Sequence, residues 1–463
     1  VMGIALMGAS RLVPRGVGLA NGWILSDGAS AASHANGQSD ALARTLATGA
    51  FVCVPQGVTG TVTGLLSGAG SLSKTGAGVV TLTAANSWSA GTDIASGAII
   101  LGGTPATGLT GSLGPGKVTL SGAGLGFNPG SASIASIVGN ALEVAADSTI
   151  AHDSGDTHLT GGIVIDGNAT LTVGTAGLPG HFLYIDNAVS GPGDLVIEAN
   201  GLTLDDAPTD TGGAVYISGH NGWTGTTTVK SGTLAISTVA SYSLTGAFVN
   251  AAALQFSSYV SVASQGSILL AGPVSGAGAW TINGPGPPPD PWSNRFGFAI
   301  SQTTGPITVT DYGNFWLQDA GIDMTSSVNL SGPRASLNLY GTPVKRIGTL
   351  LGNGVVDIPD TGGDGSVALS IGQDNGAGTF SGVLQNSAAG ASLSLIKDGS
   401  GTQTLSGSNP YQGGTTINGG TLRAGNVAAF GTGPITVNAG GTLAKNGFAI
   451  TNPILNNGGT VTQ

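Results

Sequence analysis

Three 22-residue windows of this 463-residue chain align with one another without gaps. They are TLTAANSWSAGTDIASGAIILG at 81–102, YISGHNGWTGTTTVKSGTLAIS at 216–237 and TLSGSNPYQGGTTINGGTLRAG at 404–425. Asn86, Asn221 and Asn409 superpose, followed by Trp88, Trp223 and Tyr411, then Thr92, Thr227 and Thr415, and finally Gly97, Gly232 and Gly420. The first and third windows also extend backwards together, with Lys74, Gly76 and Gly78 falling on Lys397, Gly399 and Gly401. Self-similarity at such a short period is the mark of a stacked repeat, because one unit of this length cannot bury an apolar face alone.

The residues inside each window say what kind of repeat it is. Short alternating runs such as Thr-Leu-Thr and Thr-Thr-Val are strand segments with one apolar face, and the Gly and Asn between them supply the backbone freedom of sharp corners. The texture persists outside the windows, for example in Gly162-Ile163-Val164-Ile165-Asp166 and Asp194-Leu195-Val196-Ile197-Glu198. The fold expected is all-β, a parallel β-helix or β-solenoid with coils of about 22 residues. Separate β-sandwiches would allow the same alternation but leave the repeat unexplained. The recurrent Asn reads as a stacked turn residue, and the aromatic two places later as a corner plug or an outward platform.

Composition agrees with packed, uncharged β-structure. Gly accounts for 83 residues, charged residues for only 8%, and hydrophobic residues for 40%, which excludes a charge-rich disordered chain. The acids are nearly all Asp, with Glu143 and Glu198 as the exceptions, which suits turns rather than helices. A net charge of −10 provides no basic face for phosphates, so nucleic acid is not an expected partner. No run of about 18 apolar residues suggests a membrane span. Cys53, the single cysteine, reads as a small buried hydrophobe in Phe51-Val52-Cys53-Val54.

Two stretches depart from the texture. Residues 284–296 are rich in Pro and read as a loop or linker, and residues 36–57 read as a short helix over Asp40–Leu46 followed by a first strand. The organisation expected is therefore an extension at 1–35, a capping helix and strand at 36–57, coils at 58–283, the Pro-rich segment at 284–296 and coils at 297–463. The last residues, Asn456 to Gln463, stop inside the repeat texture, so another chain or domain is expected to cover that end.

The windows at 71–102 and 394–425, which contain KTGAGVVTLTAANSWSAGTDIASGAIILG and KDGSGTQTLSGSNPYQGGTTINGGTLRAG, resemble the passenger-associated repeats of bacterial autotransporters over about 32 residues each, with 22 more at 216–237. The resemblance implies a right-handed parallel β-helix displayed on an outer surface, in many cases as an adhesin. The pattern Asp40-x-Leu42-x-x-x-Leu46-x-x-Gly49-x-x-Val52-x-Val54-Pro55-x-Gly57 resembles the start of the β-helix in phage tail spikes and pectate-lyase-like proteins. That second likeness implies a virion tail location and a homotrimer. No signal peptide and no translocator barrel are legible, so the first expectation is a phage tail spike or fibre that binds a bacterial surface glycan or receptor. The alternative is an autotransporter adhesin passenger, and the third reading is a polysaccharide depolymerase on the same scaffold.

Chemistry is sparse. The carboxylate groups weighed for glycan cleavage are Asp205-Asp206 with Asp210, Asp319 with Asp323, and Asp357 with Asp360 and Asp364; each fits ordinary turn chemistry as well. His34, His152, His158, His181 and His220 make no zinc pattern, and His152-Asp153 with Asp156 and His158 is the densest cluster. No catalytic residue, metal site or cofactor is expected. For recognition, Trp292 and Arg295 in the Pro-rich segment and nearby Trp316 are the candidates, since an amphipathic ring suits a sugar face.

Overall fold

The structure is a computed structural model, and it describes residues 22–104, 108–109, 111–129, 135–153, 155–175, 182–199, 214–218, 221–236, 242–257, 268–283, 295–341, 344–359 and 365–463. The chain forms two compact units, Val1–Leu234 and Ala235–Gln463. Each is a parallel β-solenoid whose coils recur at about 22 residues, and the described residues contain no helix.

In the first unit, three stacks of strands share the inward apolar residues. One runs through Ala50–Cys53, Leu72–Thr75, Thr92–Ile94, Val118–Ser121 and Leu142–Ala146, each parallel to the next. A second holds Thr59–Val62, Val79–Leu82, Ala98–Thr104, Gly124–Asn128 and Ser148–His152. The third stacks Ala135–Val138, Asp156–Leu159, Phe182–Ile185 and Ala214–Ile217. Alternate side chains of each strand point inward, so residues such as Val52, Leu120, Val144 and Ile165 line the core with almost no exposure.

The second unit repeats this plan, and in both units the coil length varies from turn to turn. Lys397 lies opposite Ile417, Ile417 opposite Val437 and Val437 opposite Asn456, so successive coils advance by 20, 20 and 19 residues. In the first unit Ser190 faces Gly222, an advance of 32 residues. Parallel pairing continues across such differences, since loop length costs closure entropy only slowly.

The repeat glycines are explained by backbone geometry and by spacing. Gly97, Gly232 and Gly420 have φ of +66°, +69° and +57°, the left-handed region that side chains disfavour. Gly401 serves a different purpose. A Cβ there would lie 1.8 Å from the carbonyl oxygen of Gly376 one coil below, so only glycine lets the corners stack so closely.

Residues 40–46 are extended, which corrects the helix expected there. Ser39–Asp40 and Arg44–Thr45 are short strands, and Leu42 is exposed while Leu46 is buried, so the helical spacing marks no common face. Asp40 supplies the reason. Its buried carboxylate accepts from the backbone N–H of Leu42 at 2.9 Å, from the Arg44 guanidinium at 2.8 Å and lies 3.1 Å from His34 Nε2. Burial pushes this carboxyl up, but the Leu42 N–H and the Arg44 cation outweigh it and hold it below its ordinary range. A buried charge bound in this way fixes a turn, whereas a helix of seven residues has little stability of its own. The neighbouring sheet begins instead with an antiparallel hairpin, Gly22–Ser26 with Ala31–Ala35, and Gly22–Ser26 also pairs antiparallel with Ala50–Cys53.

Candidate functional site

The repeat signature residues face inward and hold coils together. Trp88, Trp223 and Tyr411 are buried plugs, and each bonds the Thr four places on: Trp88 Nε1 donates to Thr92 Oγ1 at 3.1 Å and Trp223 Nε1 to Thr227 Oγ1 at 2.6 Å, while Tyr411 Oη and Thr415 Oγ1 are 2.6 Å apart. Asn86 accepts from the N–H of Leu66 in the coil before and donates to the carbonyl of Ser112 in the coil after. Asn409 does the same between Leu384 and Ala429, and Asn221 accepts from Val189. These side chains satisfy backbone groups that a corner would otherwise strand in the core.

The repeat lysines complete the corner. Lys74 is fully buried, and its ammonium donates to the carbonyls of Thr75, Gly76 and Ser96 at 2.6–3.0 Å. Lys397 donates in the same way to Asp398, Gly399 and Gly419. Three acceptors match the three N–H donors of an ammonium, so the motif L-x-K-x-G-x-G encodes a cation clamp on a glycine corner. Burial lowers the Lys74 ammonium to about 8, against a smaller opposing pull from Cys53.

Two of the three recognition candidates, Trp316 and Arg295, are brought together. Trp316 is buried; its indole N–H donates to Asn314 Oδ1 at 2.7 Å, and the Arg295 guanidinium lies 4.3 Å from its ring centre. Trp292 lies outside the described residues, as do Asp205, Asp206, Asp210, Asp360, Asp364, His181 and His220. Asp357 is engaged by Gln385 Nε2 and by both the N–H and hydroxyl of Ser387. Asp319 belongs to the strand Asn314–Ile322, and Asp323 is exposed. The histidine cluster is divided by the wall: His152 is buried, whereas His158 is on the outer face. Among the described residues no group of three His, Cys, Asp or Glu is placed to hold a metal ion. No helix among them is long and apolar enough to cross a membrane.

The outer face of the third stack in the first unit is the most distinctive surface. Register sets Ile137, His158, Tyr184 and Tyr216 one above another. His158 and Tyr184 stack at 4.3 Å with planes 3° apart, and Tyr184 and Tyr216 at 4.9 Å and 20°. Phe182 stands edge-on to both tyrosines, at 80° and 82°. Beside the rings, Asp186 lies 2.6 Å from His158 Nδ1 and accepts from Ser218 Oγ. Ile137, largely exposed, also lines a shallow cleft of about 370 Å³ with Asn86, Leu101, Ser112, Pro115 and Val138. The column is not legible in the sequence, because Ile137, His158, Tyr184 and Tyr216 are 21 to 32 residues apart and only the strand register aligns them.

Comparison with known proteins agrees with the repeat chemistry. The passenger-associated-transport-repeat family model matches residues 72–101, 212–236 and 395–424, the segments that carry the Asn and aromatic corners. A curated relative, the adhesin BmaC autotransporter of Brucella suis biovar 1 (strain 1330), is 34% identical over 169 residues. That match covers 35% of this chain and 5% of the relative, so the chain spans a small fraction of that protein's length. No solved structure matches. The chain thus resembles the repeat-bearing passengers of autotransporters. The tail-spike expectation finds no support in these comparisons, and the helix it leaned on is extended strand.

Proposed function

We propose that this chain is part of an autotransporter adhesin passenger, displayed outside a Gram-negative bacterium, where the solenoid holds receptor-binding side chains on its outer wall. The observation that carries this reading is the coincidence of the matched repeats with the lysine-clamped, Asn-stapled corners of the coils. Such corners supply a rigid wall while leaving outward positions free to vary, which suits attachment. The partner is a surface receptor, with a glycan as the class favoured below.

The reading is tested by display. The chain is fused to an unrelated translocator barrel on a non-adherent bacterium, and attachment to host epithelial cells is counted. Attachment is expected to rise several-fold over cells that carry the barrel alone. Equal attachment, with the chain reachable by antibody from outside, would overturn the adhesive reading. Light scattering supplies a second check: a monomer fits a passenger, whereas a stable trimer would restore the tail-spike alternative.

A further inference from the structure

We propose that the outward strip of Ile137, His158, Phe182, Tyr184 and Tyr216, with Asp186 beside it, is a binding site for an uncharged oligosaccharide. The inference rests on the adhesive reading for its biological setting, but its geometry stands independently. Half-buried aromatic rings gathered on an outer wall beside the exposed Ile137 are a feature that calls for a ligand more than scattered apolar residues do. Here they are gathered into one column by register.

Shape limits the ligand. Four rungs of about 4.8 Å make a strip roughly 15 Å long and one side chain wide. A stable protein interface of about 1,000 Å² or more does not fit such a strip. An extended peptide would seek an open strand edge, yet these central strands are paired on both sides, as Asp156–Leu159 is with Ala135–Val138 and Phe182–Ile185. A single oligosaccharide chain fits both limits.

Chemistry limits it further. Phe182, turned about 80° from the stacked tyrosines, is only half-buried, and the accessible part of its ring offers a platform for the C–H face of a sugar. Asp186 and Asp156 supply carboxylate acceptors for sugar hydroxyls. The four strands carry no Lys or Arg, so a sialylated or sulfated chain would meet like charge with no cation other than a protonated His158. The adjoining cleft at Ile137, lined by Asn86, Ser112 and Pro115, can receive the ligand's end.

The test is calorimetric titration with neutral tri- and tetrasaccharides of hexose and N-acetylhexosamine, beside their sialylated and sulfated counterparts. At least one neutral sugar is expected to bind, with its charged counterpart at least tenfold weaker. Tyr184→Thr with Tyr216→Thr should weaken binding at least tenfold while circular dichroism and the melting midpoint stay near the parent's. Asp186→Asn, which removes charge but keeps shape, should narrow the gap between neutral and sulfated sugars; together with Phe182→Leu it decides the matter if the double variant does not fold. No neutral sugar bound, charged sugars bound as well, or binding unchanged in these variants would overturn the proposal. Cell display separates the two readings: adhesion that survives the double variant rejects the strip and keeps the adhesin, whereas a non-adherent parent rejects the adhesin and leaves the titration to decide the strip.

Discussion

Two outward columns, one in each unit, are built from opposite materials. In the first unit the column Ile137, His158, Tyr184, Tyr216 is apolar and aromatic. In the second unit the outward column Thr402, Thr421, Thr442, Thr460 consists of four threonines in register. A corner ladder accompanies it, in which Asn457 donates to Asn438, Asn438 to Asn418 and Asn418 to Asp398. Threonine fits a pleated surface and its cross-strand neighbours well, so the second column is what strand propensity alone would choose. The first column departs from that choice, with large rings that stay half-buried on the outer face. The inward residues are alike in both units, so the two units differ in what they present outward rather than in what holds their coils together.

The comparison makes its strongest prediction about the shared interior. Trp88→Ala in the first unit and Tyr411→Ala in the second each remove a fully buried plug and its bond to threonine, and each should cost roughly 3–5 kcal/mol. Tyr411→Phe, which keeps the ring, should cost about 1 kcal/mol. Urea unfolding measures all three. A large loss in only one of the two alanine variants would break the claim that both units rely on the same corner.

The solenoid was legible from sequence because its rule is local: alternation, corner glycines and a repeated Asn-x-aromatic each state their role within one coil. The aromatic at Trp88 and Tyr411 could be read as plug or platform, and burial decides for the plug. The seven residues from Asp40 to Leu46 were misleading because helical spacing there competes with a buried Asp40–Arg44 pair, a tertiary effect that a window cannot contain. The aromatic column was invisible for a related reason. Its residues come together only when coils of different length are stacked, and Ser190 facing Gly222 beside Lys397 facing Ile417 shows how far the period wanders. Trp316 and Arg295 were both visible as candidates, but their contact with each other and the Trp316 bond to Asn314 were not.

Intermediate effects should appear with pH. Lys74 in the first unit is lowered by burial to about 8, while an unfolded lysine titrates near about 10.4. Between those values the unfolded chain binds more protons than the folded one, so stability should rise with pH across that window. Lys397 in the second unit is also lowered, chiefly by burial, against the opposing fields of Asp398 and Asp374. That unit holds a counterweight. Burial raises the Tyr411 phenol, outweighing its bond with Thr415, while an unfolded tyrosine ionises near about 10. Above that pH the unfolded chain binds fewer protons, so the Tyr411 contribution should fall. Urea midpoints from pH 7.5 to 11 should lose part of the rise in Lys74→Met and part of the fall in Tyr411→Phe. A flat profile in the parent would mean that the buried clamps do not titrate differently from the unfolded chain.

The smallest effects should lie on the outer walls themselves, and they sharpen the contrast between holding and recognising. Asn438 donates to Asn418 at 2.8 Å and accepts from Asn457 at 3.3 Å, both in exposed settings where water can replace either partner. Asn438→Ala should therefore cost no more than about 1 kcal/mol in urea unfolding. Tyr184→Thr in the first unit gives up ring stacking worth about 0.5–1.5 kcal/mol and gains a residue suited to strands, so its net cost should be similarly small. If Asn438→Ala instead cost over ~2 kcal/mol, the amide ladder would be part of what holds the coils together, and the division into a stabilising interior and a recognising exterior would fail for the second unit. If Tyr184→Thr cost that much, the aromatic column would be a structural brace, and its departure from the threonine pattern would no longer need a ligand to explain it.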